Sequence, residues 1–372
     1  MKKLPGLFRT APAVFAAGGD YQIMVPVNAP ALFWVEVGGK TYYDHSCGIM
    51  RSETEMHRVC VPRRELDAAG AYTTVYRKII ERKPYFPTSE DEVRTTFAFR
   101  PVPTLDEKPE IRFYHLSDVH GRIERGIASG SFFGDGLDFL VMNGDVIDHA
   151  GNTKNFDAIF KIAEALTGGE KPVVYARGNH DLRGFCAEQT MDYTPCVNGK
   201  TYYTARVGSF WFVILDCAED KEDWHAEYGH TVACHPYRLE QTDFLERVIA
   251  DAENEYAAED VKYRFVLVHN PFTRKLQDPF GIEGDIFGEW ARLLREEIHP
   301  DLMLCGHIHE NKVYEVGGPY DDYGQACPVS VTCDGADPFT GGAYTVTKDG
   351  VLLQYTDSKK DVKGSYLFEK RN

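Results

Sequence analysis

From residue 111 onward, short apolar runs of strand length alternate with segments whose apolar residues recur at helical spacing. The predicted strands cover residues 111–116, 139–142, 173–176, 210–215, 265–268 and 302–304. The predicted helices cover residues 156–166, 239–252 and 286–298. Because strands that are apolar throughout are buried on both faces, this pattern predicts a layered α/β domain with its helices outside the sheets.

The first hundred residues instead contain short strands separated by turns, at residues 21–25, 31–37, 41–43, 56–61, 72–80 and 95–99. Alternation such as Phe33, Val35 and Val37 predicts an antiparallel β-sandwich of immunoglobulin-like or fibronectin-like type. A chain of 372 residues is long for a single core. We therefore expect an N-terminal β-sandwich domain at 1–102, a proline-rich linker at 103–110 and a second domain at 111–372, completed by strands at 329–332, 343–347, 351–355 and 366–368.

Polar residues that can ligate metals follow five of the predicted strands. The segments are Asp118-Val-His120, Gly144-Asp145, Gly178-Asn179-His180-Asp181, His269 and Gly306-His307-Ile308-His309. Each alone has an ordinary structural explanation as a turn or a loop histidine. Loops at strand ends gather in one cleft in such folds, so all five together predict one site. Its carboxylate, amide and imidazole groups are those that two adjacent metal ions need.

In this order, the segments resemble the motifs of the calcineurin-like metallophosphoesterase superfamily over roughly residues 110–315. Those motifs are Asp-x-His, Gly-Asp-x-x-Asp, Gly-Asn-His-Asp/Glu, a lone histidine after a strand, and Gly-His-x-His. The resemblance implies a four-layer α/β fold, in which helices flank a β-sandwich core. It also implies a dinuclear centre of Mn, Fe or Zn, with one metal on Asp118, His120 and His309, the other on Asn179, His269 and His307, and Asp145 as the bridge.

The activity implied by the resemblance is hydrolysis of a phosphoester by a metal-activated hydroxide. His180 would then act as the general acid that protonates the departing oxygen, a role that suits imidazole near neutral pH. Asp148 matches the position that orients this histidine, and Asp181 is the alternative for that role. Arg122 and Arg183 are weaker candidates for contact with the phosphate, because a guanidinium matches phosphate geometry.

Two branches of the superfamily fit less well. An N-terminal sandwich before the catalytic domain resembles the purple acid phosphatases, but those carry an iron-binding tyrosine shortly after Gly-Asp, where this chain has Val146-Ile147-Asp148-His149. Protein serine/threonine phosphatases have Asp-Arg-Gly and Gly-Asn-His-Glu, where this chain has Asp148-His149-Ala150 and ends the Gly-Asn-His motif with Asp181. We therefore expect a small phosphomonoester, phosphodiester or nucleotide as substrate.

The formal net charge of -16 argues against long nucleic acid as a partner. No run approaches the roughly 20 apolar residues that a membrane span requires. Nine cysteines without a C-x-x-C pair predict a cytoplasmic protein. Secretion is the alternative interpretation, which is disfavoured because Pro5 and Arg9 interrupt any apolar run after Met1-Lys2-Lys3. The oligomeric state stays open.

Two other functions are compatible with the motifs: a catalytically silent metal-binding scaffold, and a phosphodiesterase of nucleic acid. The first predicts a missing ligand or a missing catalytic histidine, and the second a basic groove. Substrate choice is expected to depend on the segments 185–203, 219–237 and 272–290, which are rich in aromatic residues. Within them, the acidic pair Glu219-Asp220 is predicted to be a solvated turn.

Overall fold

The computed structural model describes residues 4–333 and 335–370. Its strands are β1 Ala13–Ala17, β2 Asp20–Pro26, β3 Ala31–Val37, β4 Lys40–Tyr43, β5 His45–Ser46, β6 Ile49–Met50, β7 Met56–Pro62, β8 Ala71–Glu81, β9 Thr88–Ser89, β10 Val93–Ala98, β11 Ile111–Leu116, β12 Phe139–Asn143, β13 Pro172–Ala176, β14 Tyr203–Val207, β15 Phe210–Ile214, β16 Tyr263–Leu267, β17 Leu302–Cys305, β18 Lys312–Tyr314, β19 Val329–Val331, β20 Thr340–Val346, β21 Gly350–Asp357 and β22 Val362–Glu369.

The helices are α1 Arg63–Ala69, α2 Ile123–Gly130, α3 Asp157–Thr167, α4 Thr190–Tyr193, α5 Cys234–Ala250 and α6 Gly284–Leu293. A π-helical turn, Leu294–Ile298, continues α6, so the predicted helix at 286–298 is present with a change of winding. Helix α5 begins before its predicted start because Pro236 lies in the first turn, where the missing N–H is tolerated. Over the described ranges, no helix has the length and apolar character needed to cross a membrane.

Two large sheets form the centre of the molecule. The nine-stranded sheet has the order β22-β21-β20-β11-β12-β13-β1-β2-β7, and the six-stranded sheet has the order β14-β15-β16-β17-β19-β18. Strands β11, β12 and β13 are parallel neighbours in the first sheet, and β15, β16 and β17 are parallel neighbours in the second. Helix α3 packs on the outer face of the nine-stranded sheet, and α6 packs on that of the six-stranded sheet. The predicted four-layer α/β fold is confirmed.

Aromatic side chains fill the space between the two sheets. Phe113 and Phe139 of the nine-stranded sheet stack at 4.8 Å between ring centroids, and Phe113 meets Phe265 of the six-stranded sheet at 5.9 Å. Phe139 also contacts Phe210 at 5.8 Å. All four rings are fully buried. Such close-packed rings hold the two sheets face to face, and therefore hold the ends of their strands at one common edge.

The N-terminal region is rich in β-structure, as predicted, but three of its strands belong to the nine-stranded sheet. Strand β1, which the sequence analysis did not predict, pairs in parallel with β13 through Val14 with Pro172 and Phe15 with Val173. Strands β2 and β7 extend the sheet beyond it. Strands β10, β8, β3 and β4 form a separate sheet that packs on the same continuous core. The division into domains at 1–102 and 111–372, with a linker at 103–110, stays a prediction. The nine-stranded sheet contains strands from both of these predicted domains.

Replacement of Phe15 by alanine is expected to destabilise the whole nine-stranded sheet. The buried Phe15 ring packs edge-on against Phe160 of α3 at 6.0 Å and against Tyr175 of β13 at 6.1 Å. Phe15→Ala should lower the free energy of unfolding by about 3–5 kcal/mol. Denaturant unfolding followed by circular dichroism and by tryptophan fluorescence should show both signals shifted together.

The matched control is Phe86→Ala, because Phe86 lies in the same N-terminal region with 87% of its surface exposed. Its effect on unfolding should stay within about 0.5 kcal/mol. A Phe15→Ala protein in which only part of the signal shifts would show that the N-terminal strands unfold independently, contrary to the shared sheet.

Candidate metal centre

The predicted ligands lie where five strands of two different sheets end at the same edge. Three of these strands, β11, β12 and β13, come from the nine-stranded sheet, and two, β16 and β17, come from the six-stranded sheet. The backbones of the loops are hydrogen-bonded to one another: Asp118 donates its N–H to the carbonyl of Gly144 at 3.2 Å, and Gly306 donates to the carbonyl of His269 at 2.8 Å. Backbone hydrogen bonds thus join two of the ligand loops within each sheet.

Asn143, which the sequence analysis did not single out, joins the two sheets at this edge. Its Nδ2 donates to the carbonyls of Val268 at 3.2 Å and Leu304 at 3.0 Å. The backbone carbonyl of Asn143 accepts from Ser117 Oγ at 2.8 Å and lies 2.7 Å from His269 Nδ1. The His269 ring therefore donates through Nδ1, which leaves Nε2 directed into the site.

Two carboxylates are buried beside that nitrogen. His269 Nε2 lies 3.2 Å from Asp145 Oδ2 and 3.8 Å from Asp118 Oδ1. Burial would raise the pKa of both carboxyls, but the facing His269 keeps each pKa below its usual range. Burial would lower the pKa of His269, yet the carboxylates of Asp145 and Asp118 raise it to about 10. Two buried carboxylates that face the same ring nitrogen attract positive charge into the site.

The set predicted for the first metal comes together around Asp118. Nε2 of His120 and Nε2 of His309 lie 3.2 Å apart, and His309 Nε2 lies 3.2 Å from Asp118 Oδ1. One candidate ligand atom from each of these three residues falls within 4.8 Å of the other two. The imidazoles therefore face a common point beside the carboxylate.

The members of the set predicted for the second metal also contact one another. Asn179 Oδ1 lies 3.1 Å from His307 Nδ1, and the rings of His307 and His269 meet edge to face at 5.4 Å. Burial and the neighbouring His269 lower the pKa of His307 to about 4, which keeps this imidazole neutral and able to ligate. The bridging role of Asp145 stays a prediction.

These donors fit a dinuclear centre. Among the described residues, Nε2 of His269 is a buried ring nitrogen without an aligned hydrogen-bond partner, and it faces two buried carboxylates. Groups of possible ligand atoms form at Asp118, His120 and His309, and again at Asp118, Asp145 and His269. Mixed imidazole, carboxylate and amide donors suit Mn, Fe or Zn.

The ligands depend on unusual backbone conformations. Five predicted ligands have φ between +47° and +68°, a region that non-glycine residues rarely adopt: Asp118, His120, Asp145, His307 and His309. Two motif glycines allow the loops to approach one another. A Cβ on Gly178 would lie 2.2 Å from Asp145 Oδ1, and one on Gly306 would lie 1.8 Å from Ser117 Oγ. Outliers of this kind cluster at functional sites.

His180 lies beside the centre, with its ring held at one end. Its Nδ1 lies 2.7 Å from the backbone carbonyl of Asp148, and its Nε2 lies 3.9 Å from Asp145 Oδ2. The Asp148 carboxylate instead faces His120 Nδ1 at 3.5 Å. The contact between Asp148 and His180 thus runs through the backbone, not through the predicted side chain. Atoms of His120, Asp148 and His180 form a third group of possible metal ligands.

Asp181, the alternative partner for His180, is directed into its own turn. Its Oδ2 accepts from the backbone N–H of Gly178 at 2.8 Å and from Tyr175 Oη at 3.3 Å. Burial and the charge of Asp145 raise the pKa of the Asp181 carboxyl to about 7. These contacts shape the loop that presents Asn179 and His180.

The two arginines predicted to contact phosphate have different surroundings. Arg122 donates to the backbone carbonyls of Asp118 at 3.2 Å, Val119 at 3.1 Å and Gly335 at 2.7 Å, so its guanidinium holds the first ligand loop. Arg183 lies 3.2 Å from His180 Nε2 and forms a bidentate ion pair with Glu219 at 2.9 and 2.8 Å. The charge of Arg183 is therefore compensated in place.

The prediction that Glu219 and Asp220 form a solvated turn is wrong. Glu219 is 1% exposed and Asp220 is 9% exposed. Asp220 Oδ1 accepts from Lys221 Nζ at 3.0 Å and from Tyr228 Oη at 2.9 Å. These acidic residues can be buried because the fold turns Lys221 and Tyr228 of the same segment onto Asp220, and Arg183 of another loop onto Glu219.

The stacked sheets and this donor set are those expected of a two-metal hydrolase. The calcineurin-like phosphoesterase family matches residues 111–311, which is more than half of the chain, and the chain belongs to that family. It is a metal-dependent phosphoesterase. No curated protein matches the chain significantly.

Two solved structures share the fold. Purple acid phosphatase PPD1 from yellow lupin (Lupinus luteus) seeds has 14% sequence identity and a TM-score of 0.60, over 97% of this chain and 75% of the other. A structure described as PhoD has 13% identity and a TM-score of 0.52, over 99% of this chain and 90% of the other. At such identities the likeness concerns the fold.

Gly306→Ala is expected to disrupt the centre by steric overlap. The added Cβ would lie 1.8 Å from Ser117 Oγ and 2.5 Å from Asp118 Oδ2, so the first ligand loop must shift. We expect a loss of stability of about 1–3 kcal/mol, together with fewer bound metal ions per chain. Thermal unfolding and elemental analysis measure the two effects.

Gly19→Ala serves as the control, because nothing lies within 4 Å of a Cβ at that position. It should leave both the stability and the metal content close to those of the unaltered protein. Normal metal content in Gly306→Ala would contradict the close packing of the two loops at the centre.

Proposed function

We propose that this chain hydrolyses a small phosphomonoester or phosphodiester, with His180 as the general acid. The observation that carries the proposal is the placement of the His180 ring between its anchor and the centre. Nδ1 is held by the Asp148 carbonyl at 2.7 Å, and Nε2 lies 3.9 Å from Asp145 Oδ2. The ring is partly exposed, so an ester in the cleft has access to Nε2.

The ligand assignment is the one that the motifs imply. Asp118, His120 and His309 would hold one ion, which the grouping of their ligand atoms supports. Asn179, His269 and His307 would hold the other, with Asp145 as the bridge, and the contact between Asn179 and His307 supports this second set. When bound, Mn, Fe or Zn ions would supply an activated water and neutralise charge on the phosphate.

The chain itself contributes orientation and a proton. Because Nδ1 of His180 donates to a backbone carbonyl, Nε2 is the nitrogen left for the departing oxygen. Arg183 Nη1, which can only donate, lies 3.2 Å from Nε2, so it would have to turn toward the phosphate before a protonated Nε2 gives its proton. The backbone N–H of His180 donates to Asp145 Oδ1 at 2.9 Å, which ties the acid to the proposed bridging carboxylate. Arg183, beside Nε2, is a candidate for contact with a phosphate oxygen, with Glu219 fixing its position.

Charge and exposed aromatic residues support a small substrate. The net charge of -16 and the pairing of Arg183 with Glu219 disfavour a long polyanion. Phe185 and Trp224, 93% and 74% exposed, lie on segments that the sequence analysis associated with substrate choice. We propose that they contact the organic group of the ester. The exposed thiols of Cys47 and Cys60 support a cytoplasmic location as a further proposal.

The role of His180 as general acid is tested by comparing esters with two different leaving groups in the presence of Mn. An alkoxide leaves poorly without a proton, whereas p-nitrophenolate leaves readily. His180→Ala should therefore lower kcat on an alkyl phosphate by about 100- to 10,000-fold, and on p-nitrophenyl phosphate by clearly less. The bis-p-nitrophenyl ester, run beside them, reports the preference for monoester or diester.

Asp145→Asn is the companion variant, since it should lose metal as well as turnover on every ester. His180→Ala, in contrast, should keep its metal content and its fold. An equal loss on the alkyl and aryl esters would count against the role of His180 as acid. Turnover of Asp145→Asn at the unaltered rate, with metal intact, would overturn the bridging assignment.

A further inference from the structure

A buried carboxylate outside the predicted ligand set faces one of the ligands. Asp220 follows strand β15, and its Oδ2 lies 3.8 Å from Nε2 of His307. Both side chains are largely buried, at 9% and 11% exposure. The superfamily motifs that led to the ligand set do not include this position.

The orientation of His307 decides which of its nitrogens is the outer one. Nδ1 lies 3.1 Å from Asn179 Oδ1, and both residues belong to the set proposed for the second metal. Nδ1 is therefore the nitrogen that would ligate the ion, which leaves Nε2 as the second ring nitrogen. A ligating histidine commonly donates its second N–H to a carboxylate or carbonyl, which fixes the tautomer and the ring angle.

The Asp220 carboxylate is held in position by its other oxygen. Oδ1 accepts from Lys221 Nζ at 3.0 Å and from Tyr228 Oη at 2.9 Å, and lies 3.7 Å from Arg183 Nη2. Glu219, the neighbouring carboxylate, is engaged by Arg183 through both oxygens. Oδ2 of Asp220 thus remains directed toward His307, while Glu219 binds Arg183.

We propose that Asp220 is a positioning residue for the second metal, and that its Oδ2 accepts the Nε2–H of His307 and so presents Nδ1 to the ion. For this bond to form, the 3.8 Å separation between the two atoms must shorten to about 3 Å. The negative charge of Asp220 also increases the attraction of this half of the centre for a cation. The inference rests on His307 as a metal ligand, which is part of the proposed function.

The experiment measures how firmly each metal is held, without using a substrate. Mn-loaded protein is dialysed against increasing concentrations of a chelator, and the Mn remaining per chain is determined. Asp220→Asn keeps the size of the side chain but removes its charge. We expect one of the two Mn ions to be lost at about 10- to 100-fold lower chelator concentration, with the other retained as before.

Glu227→Gln is the matched control, because Glu227 pairs with the same Lys221 at 3.0 Å. It should release both ions as the unaltered protein does. Equal weakening in Glu227→Gln and Asp220→Asn would overturn the proposal, since a general loss of charge would then explain both. Thermal unfolding by circular dichroism shows whether each variant keeps its fold.

His307→Ala separates the inference from its foundation. Loss of one ion in His307→Ala, with unaltered release from Asp220→Asn, would overturn only the role of Asp220. Retention of both ions in His307→Ala would overturn the ligand assignment and, with it, the inference. Neither result depends on His180 or on the choice of ester, so the proposed acid is judged separately.

Discussion

The centre depends on one buried amide that joins two sheets. Asn143 donates to backbone carbonyls of two strand ends in the opposite sheet, and its own carbonyl sets the tautomer of His269. Buried backbone carbonyls without partners are costly, so these bonds favour one relative position of the sheets. Three predicted ligand loops lie on one sheet and two on the other. The distances between ligands from different sheets therefore follow from this junction and from the aromatic core behind it.

The ligand loops carry strain that the surrounding structure compensates. Left-handed backbone at a non-glycine residue costs about 1–3 kcal/mol, and five predicted ligands have it. The compensation is local: Asp118 accepts the backbone N–H of His307 at 3.0 Å, and Asp145 accepts that of His180 at 2.9 Å. Each carboxylate thus holds a loop as well as facing the cation site. This double use explains why short motifs, and not whole helices or strands, carry the chemistry.

The sequence predicts what depends on local pattern and misses what depends on distant partners. Apolar strands followed by polar motifs were sufficient to place the ligands at one edge. Strand β1 escaped prediction because Ala13–Ala17 is short and rich in alanine, and its pairing with β2 on one side and with the distant β13 on the other makes it a strand. Asn143 reads as the end of an ordinary strand. The sequence around Glu219 and Asp220 indicates a solvent-exposed turn. The partner of Glu219 is Arg183, which is remote in the chain, so the local sequence gives no sign of this ion pair.

The position of β1 also bears on how the molecule is made. One edge of β1 pairs locally with β2, but its other edge pairs with β13 through Val14 and Pro172, far along the chain. At the other side of the same sheet, β11 pairs with β20, which begins at Thr340. Contacts between such distant residues slow folding, because long loops must close, at a cost in entropy, before these contacts stabilise the chain. Nearly all of this polypeptide must have left the ribosome before the sheet that carries the centre is complete.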